Sequence, residues 1–92
     1  MKIATDIVKA INSKSLGEQT TRDLIQLCED IYDQKINVGH DQLVRSMLII
    51  SKFDKTKFLE IIDSNFYGDP RDVLMSAHSQ DETNNYGITK FE

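Results

Sequence analysis

Cysteine and proline are nearly absent from this chain of 92 residues, where each occurs once, as Cys28 and Pro70. A single cysteine excludes an internal disulfide, and with it the disulfide-stapled scaffolds of small secreted proteins. The longest apolar run, at 47–50, is far shorter than a membrane-spanning helix requires. The N-terminal residues show no apolar segment of the signal-peptide kind. We therefore expect a cytoplasmic protein that does not enter a membrane.

Side chains that commonly carry catalysis or hold metals are also scarce. The two histidines, His40 and His78, have no metal-ligand spacing, and Cys28 lies at an apolar helical position where burial would make it inert. The four glycines are scattered singly, so the chain has no glycine-rich phosphate-binding loop. The sequence thus predicts a protein that is not an enzyme, with no catalytic residue, no cofactor and no metal site.

The residues that are present predict a helical fold. Hydrophobic residues make up 39% and charged residues 28%, a balance typical of one globular domain. Apolar residues recur at intervals of three and four, which indicates an all-α protein, a compact bundle of about five short helices. The alternation of Ile36 and Val38 leaves a very short strand pair open. We expect helices at 3–13 and 21–34 and after the N-cap residues Asp41, Asp54 and Asp69, with Thr20 capping the second helix.

The domain organisation follows from where this pattern stops. We expect residues 1–78 to form the helical domain and the polar residues of 79–92 to form a C-terminal loop or tail. Apolar residues within this tail can dock it on the domain; they are Tyr86, Ile88 and Phe91. The positions expected to be buried in the core are Leu27, Ile31, Leu48, Phe58 and Ile62.

The second helix carries its acidic residues opposite its apolar stripe. At 100° per residue, four carboxylates fall on one side and span about 15 Å, one charge every 4 Å or so. A DNA strand carries one phosphate per about 3.4 Å, so this face can imitate a row of phosphates. A solvated surface of no further function is the alternative interpretation. Two acidic residues of the fifth helix would extend the row if they lay nearby, and the predicted partner-binding residues are Asp23, Glu29, Asp30, Asp33, Asp69 and Asp72.

In its shortness, its usage rich in Ile, Asn, Asp and Lys and its single proline, the chain resembles the small early proteins of large tailed, T-even-like phages. The resemblance covers the whole chain. It implies a phage inhibitor that acts in the host cytoplasm by binding a host nucleic-acid-binding or restriction protein, in the manner of the anti-restriction DNA mimics. The expected partner is a host protein with a basic surface.

A small helical DNA-binding or transcription-regulating domain is the alternative function. The cluster Lys52, Lys55 and Lys57 would then carry the phosphate contacts. The formal net charge of −4 makes direct nucleic-acid binding the less favoured interpretation, because phosphate contacts supply much of DNA affinity. A homodimer also stays open, since a domain of this size buries a modest share of its surface.

Overall fold

Five helices follow one another in the computed structural model, which describes residues 3–36, 38–64, 69–80 and 90–91. These ranges contain no strand, so the predicted all-α bundle is confirmed and no strand pair forms at Ile36 and Val38. Within the same ranges, no helix has the length and apolar character to cross a membrane. The helices are α1 (Thr5–Ser13), α2 (Glu18–Tyr32), α3 (His40–Ser51), α4 (Lys55–Asp63) and α5 (Pro70–Gln80).

The central element of the bundle is α3, in which every residue from 43 to 48 is buried. The fifth helix packs along α3, α4 contacts both α3 and α2, and α2 contacts α1. Ile31, Leu48 and Phe58 are fully buried as predicted, whereas Leu27 and Ile62 are only partly buried. The reason is their place on the helix: each lies at the flank of its apolar stripe, one residue away from the stripe's buried centre.

Two of the predicted helix starts are correct. The Asp54 carboxylate accepts a hydrogen bond from the backbone N–H of Lys57 at 3.0 Å, which caps α4. Asp69 precedes α5, whose first residue is Pro70, and accepts a bond from the backbone N–H of Arg71 at 3.0 Å. Both starts were visible because the cap and its supporting residues are neighbours in the chain.

The predicted N-caps Thr20 and Asp41 are wrong, because Gly17 and Gly39 occupy the N-cap positions of α2 and α3. Gly17 has φ +91°, a conformation that glycine adopts without strain, and it lets α2 begin earlier. The carboxylate that begins this helix, Glu18, lies in its first turn, where the helix dipole favours negative charge. Asp41 is used elsewhere, in a contact with α2.

The C-terminal region is described at its two ends only. The fifth helix extends to Gln80, two residues beyond the predicted end of the helical domain, and Phe91 packs partly buried against the core. Tyr86 and Ile88 lie outside the described residues.

Candidate protein-binding surface

Three of the predicted partner-binding residues lie together at the C-terminal end of α2. Asp30 and Asp33 are exposed and Glu29 is partly exposed. At 1.5 Å and 100° per residue, the three span about 6 Å of the helix axis and an arc of about 100°. We call these three residues the acidic end of α2.

The position of these carboxylates opposes the helix dipole. The last turn of α2 contains no basic residue, and its carbonyl groups already place negative potential there. An acidic side chain at such an end destabilises a helix by about 0.3–1 kcal/mol. Within the described ranges, Glu29 and Asp30 make no ion pair, and Asp30 accepts only a neutral hydrogen bond from the Gln26 amide at 3.0 Å. The charges of Glu29 and Asp30 therefore give this end of α2 a negative potential that no ion pair of theirs within the described ranges balances.

Asp23 does not belong to this surface. Its carboxylate lies 2.8 Å from the Lys55 ammonium of α4 and also accepts a bond from Gln19 at 2.8 Å. The hydrogen bond from Lys55, joined by that from Gln19, lowers the pKa of Asp23. The carboxylate thus ties α2 to α4, and its charge is balanced within the protein.

The two predicted residues of the fifth helix region are also separate from the acidic end of α2. Asp69 pairs with Arg71 at 3.2 Å, while Asp72 is exposed in the first turn of α5. This helix packs along α3, so the structure gives no reason to place the two carboxylates in one row with those of α2.

A polar cluster joins the residues at the C-terminal end of α2 to the start of α3. The Tyr32 hydroxyl donates a hydrogen bond to the Asp41 carboxylate. The Tyr32 ring stacks on His40, with centroids 5.5 Å apart, and His40 Nε2 donates to the Gln34 carbonyl at 2.8 Å. Burial, with the neighbouring Asp41 charge, raises the pKa of Tyr32, so its hydroxyl keeps the donated proton. These contacts connect the C-terminal end of α2 to the first turn of α3.

A buried ion pair joins α1 to α3 and was not found by sequence analysis. Arg45 Nε and Nη2 donate to the two Asp6 carboxylate oxygens at 3.0 and 2.9 Å. The backbone N–H of Phe91 donates to the same carboxylate at 2.9 Å. The side chains of Arg45 and Asp6 are only 6% and 12% exposed. Burial raises the pKa of Asp6, but the hydrogen bonds from Arg45 and Phe91 outweigh it and the pKa is lowered overall.

The groups that usually carry chemistry are placed for structure. Cys28 is fully buried, and burial raises the pKa of its thiol to about 12, which disfavours the reactive thiolate. In the ranges that the structure covers, no three His, Cys, Asp or Glu side chains are grouped so as to hold a metal ion. Among the lysines of the alternative function, Lys55 is committed to Asp23, whereas Lys52 and Lys57 are exposed.

Comparison with protein-family models, with curated proteins and with solved structures found no match to this chain.

Proposed function

We propose that this protein is a non-enzymatic inhibitor that binds a basic, nucleic-acid-binding partner through the acidic end of α2. The observation that supports the proposal is the contrast among the acidic residues. Asp6 and Asp23 each meet a cation from another helix, while Glu29 and Asp30 remain in water at a helix end where they weaken the helix. Such a local conflict is more readily understood when the residues serve a partner.

The dimensions of this surface suit a phosphate-binding partner. Three carboxylates within about 6 Å of helix axis match the local charge density of a nucleic-acid strand, which carries a phosphate per about 3.4 Å. Because Asp23 is paired inside the protein, the imitation extends over about three phosphates rather than over the whole helix. A basic groove that normally holds a phosphate backbone would accept this end of α2 and be blocked by it.

The proposal is tested by charge reversal with a matched control. The wild-type protein and the Asp30→Lys/Asp33→Lys variant are immobilised and exposed to a bacterial lysate, and the retained proteins are identified by mass spectrometry. The control is Glu60→Lys/Asp63→Lys, which changes the net charge equally and keeps the same spacing near the end of α4. We expect a protein that wild type and control retain, that the α2 variant loses, and that duplex DNA and added salt both elute.

Equal retention by the α2 variant would remove the acidic end of α2 from the function. A gel-shift experiment at low salt addresses the DNA-binding alternative directly. If wild-type protein shifts DNA, and Lys52→Glu/Lys57→Glu abolishes the shift, the protein is a DNA-binding domain and the inhibitor proposal is wrong.

A further inference from the structure

A pocket of about 460 Å³ lies where the C-terminal ends of α1 and α3 meet. Its volume falls in the range of about 300–1,000 Å³ that is typical of small-molecule sites. The residues that give it its chemistry are Lys14, Leu48, Lys52, Phe53 and Phe91. None of them belongs to the acidic end of α2, so this pocket is a feature of its own.

One side of the pocket is aromatic. The rings of Phe53 and Phe91 have centroids 5.7 Å apart and are tilted by 55°. The ammonium group of Lys14 lies over the Phe53 ring, 4.7 Å from its centroid. That distance is a cation–π contact, so in the unliganded protein the Lys14 ammonium covers this face of the ring.

The other chemical feature is positive charge without a described counterion. Lys14 and Lys52 both line the pocket, and neither makes an ion pair with a carboxylate of the described residues. Each lysine also follows the last residue of a helix, where a cation offsets the helix dipole. Offsetting the dipole accounts for each lysine separately. The fold also brings both lysine side chains to one concave site beside two aromatic rings.

The backbone of the pocket is held in an unusual conformation. Lys52 and Phe53 are consecutive residues with φ of +54° and +61°, in the left-handed region that side chains other than glycine's disfavour. Their N–H groups close the end of α3 by bonding the carbonyls of Ile49 at 3.2 Å and Leu48 at 3.0 Å. Strained backbone of this kind concentrates at binding sites, and here it brings both side chains to the pocket.

The backbone of Phe91 is held in place by a buried ion pair. The backbone N–H of Phe91 is held by the Asp6 carboxylate, which the buried Arg45 holds in turn. The aromatic wall of the pocket therefore rests on an ion pair that joins α1 to α3, and it is built before a ligand arrives.

We propose that this pocket binds a small aromatic anion, a planar ring that carries one phosphate or carboxylate group. The ring packs against Phe53 and Phe91, and the anionic group lies between the ammonium groups of Lys14 and Lys52. On binding, the Lys14 ammonium moves from the Phe53 ring to the anion, which leaves the ring face to the ligand. A nucleoside monophosphate and an aryl carboxylate share this chemistry, and the experiment separates the two.

The test is a titration of ¹⁵N-labelled protein, followed by NMR, with four probes. Adenosine monophosphate carries a ring and a phosphate, indole-3-acetate carries a ring and a carboxylate, and adenosine and inorganic phosphate each carry one feature alone. We expect saturable chemical-shift changes of the Lys14, Lys52 and Phe53 amides with one or both of the first two probes, with a Kd of about 1 mM or below. The single-feature probes should bind at least about tenfold more weakly, because each meets half of the site.

Charge and ring variants complete the test, with melting curves to confirm that each variant is folded. Lys14→Ala/Lys52→Gly should weaken binding by about fivefold or more, the scale of exposed ion pairs, since glycine suits the left-handed position. Lys35→Ala/Lys57→Ala is the control for net charge, because both lysines are exposed and neither lines the pocket, and it should bind as wild type does. Phe53→Leu should weaken binding and Phe53→Tyr should retain it.

Three results would overturn the proposal. The first is the absence of saturable shifts at the pocket with both two-feature probes at about 5 mM, beyond the weak-ligand range. The second is binding of inorganic phosphate or adenosine as tight as that of the two-feature probes. The third is equal affinity in the pocket and control lysine variants, which would show that the anion is attracted by overall charge alone.

Discussion

Two sets of carboxylates in this protein have opposite surroundings. Asp6 lies beneath the surface between α1 and α3, where Arg45 and a backbone N–H of the C-terminal region satisfy it. Glu29 and Asp30 lie in water at the C-terminal end of α2, where no described cation balances them and the helix dipole opposes them. The first arrangement stabilises the fold at the expense of an available charge, and the second does the reverse. The difference separates structural acids from acids that can meet a partner.

The largest effect should follow from breaking the buried pair. Arg45→Ala leaves the Asp6 carboxylate buried without its cation, and we expect it to lower the free energy of unfolding by about 3–5 kcal/mol. Urea denaturation measures the change. Arg22→Ala is the matched control, because the Arg22–Glu18 pair has side chains 70% and 79% exposed, and its effect should stay within about 0.5 kcal/mol. A loss below about 1 kcal/mol in Arg45→Ala would show that the pair is not structural.

The same pair should make stability sensitive to acid. Because the pKa of Asp6 is lowered in the folded protein, its stabilising contribution is complete above the unfolded-state value of about 3.9 and is lost as pH falls below that value. Asp6→Asn cannot titrate, so its unfolding free energy should lie below that of wild type at pH 7 and converge with it as the pH falls through the lowered pKa of Asp6. Asp30→Asn serves as the control: its unfolding free energy should lie above that of wild type at pH 7, because the charge it removes opposes the helix dipole. Parallel curves for wild type and Asp6→Asn would contradict the assignment.

Sequence patterns found the features whose signals are local. The capping of α4 by Asp54 depends on residues within one turn, and the start of α5 depends on Asp69 and Pro70 being adjacent. The burial of Cys28 followed from its place in an apolar stripe. The predicted N-caps of α2 and α3 were wrong because a favourable residue type is only one of several ways to begin a helix. The Asp41 carboxylate accepts a hydrogen bond from Tyr32 instead.

Pairs formed across the fold were not predictable in the same way. Asp6 and Arg45 are 39 positions apart, so no window of the sequence contains both. One signal was present: Arg45 lies within the buried stretch 43–48 of α3, and a buried cation requires an acidic partner. Asp23 joined the predicted acidic surface because the helical wheel shows only which side a residue faces. It does not show that Lys55 of another helix lies 2.8 Å away.

A smaller effect, of opposite sign, should follow from neutralising the acidic end of α2. Glu29→Gln/Asp30→Asn removes two charges that oppose the helix dipole, and it should raise the free energy of unfolding by about 0.3–1 kcal/mol per charge at low salt. Glu18→Gln, in the first turn of the same helix, should lower stability because negative charge is favourable there. Thermal and urea unfolding at two salt concentrations measure both. A loss of stability in the double variant would show that these two residues stabilise the fold and are not kept for a partner.

The smallest effect is expected at Asp23, and it tests where the partner-binding surface ends. The Lys55 ammonium already balances this carboxylate, so removing both charges together in Asp23→Asn/Lys55→Gln should change the association rate with a basic partner by less than about twofold. Asp30→Asn should slow association more, with dissociation less affected, because exposed charges chiefly steer the encounter. Stopped-flow kinetics with the captured partner measures both rates.

Replacing the Lys55 cation alone should raise the association rate. Lys55→Ala leaves the Asp23 carboxylate without its counterion and extends the negative surface of α2 toward its N-terminal half, so association with a basic partner should become faster. Lys57→Ala removes an equal charge from the exposed side of α4, the helix of Lys55, without freeing Asp23. Subtracting its change in association rate from that of Lys55→Ala isolates the contribution of the carboxylate. Slower association for Asp23→Asn/Lys55→Gln, equal to that for Asp30→Asn, would mean that the partner breaks the Asp23–Lys55 contact and takes the carboxylate for itself. The binding surface would then be the whole acidic side of α2, as the helical periodicity first suggested, and the ion pair would be the part of the fold that the partner must open.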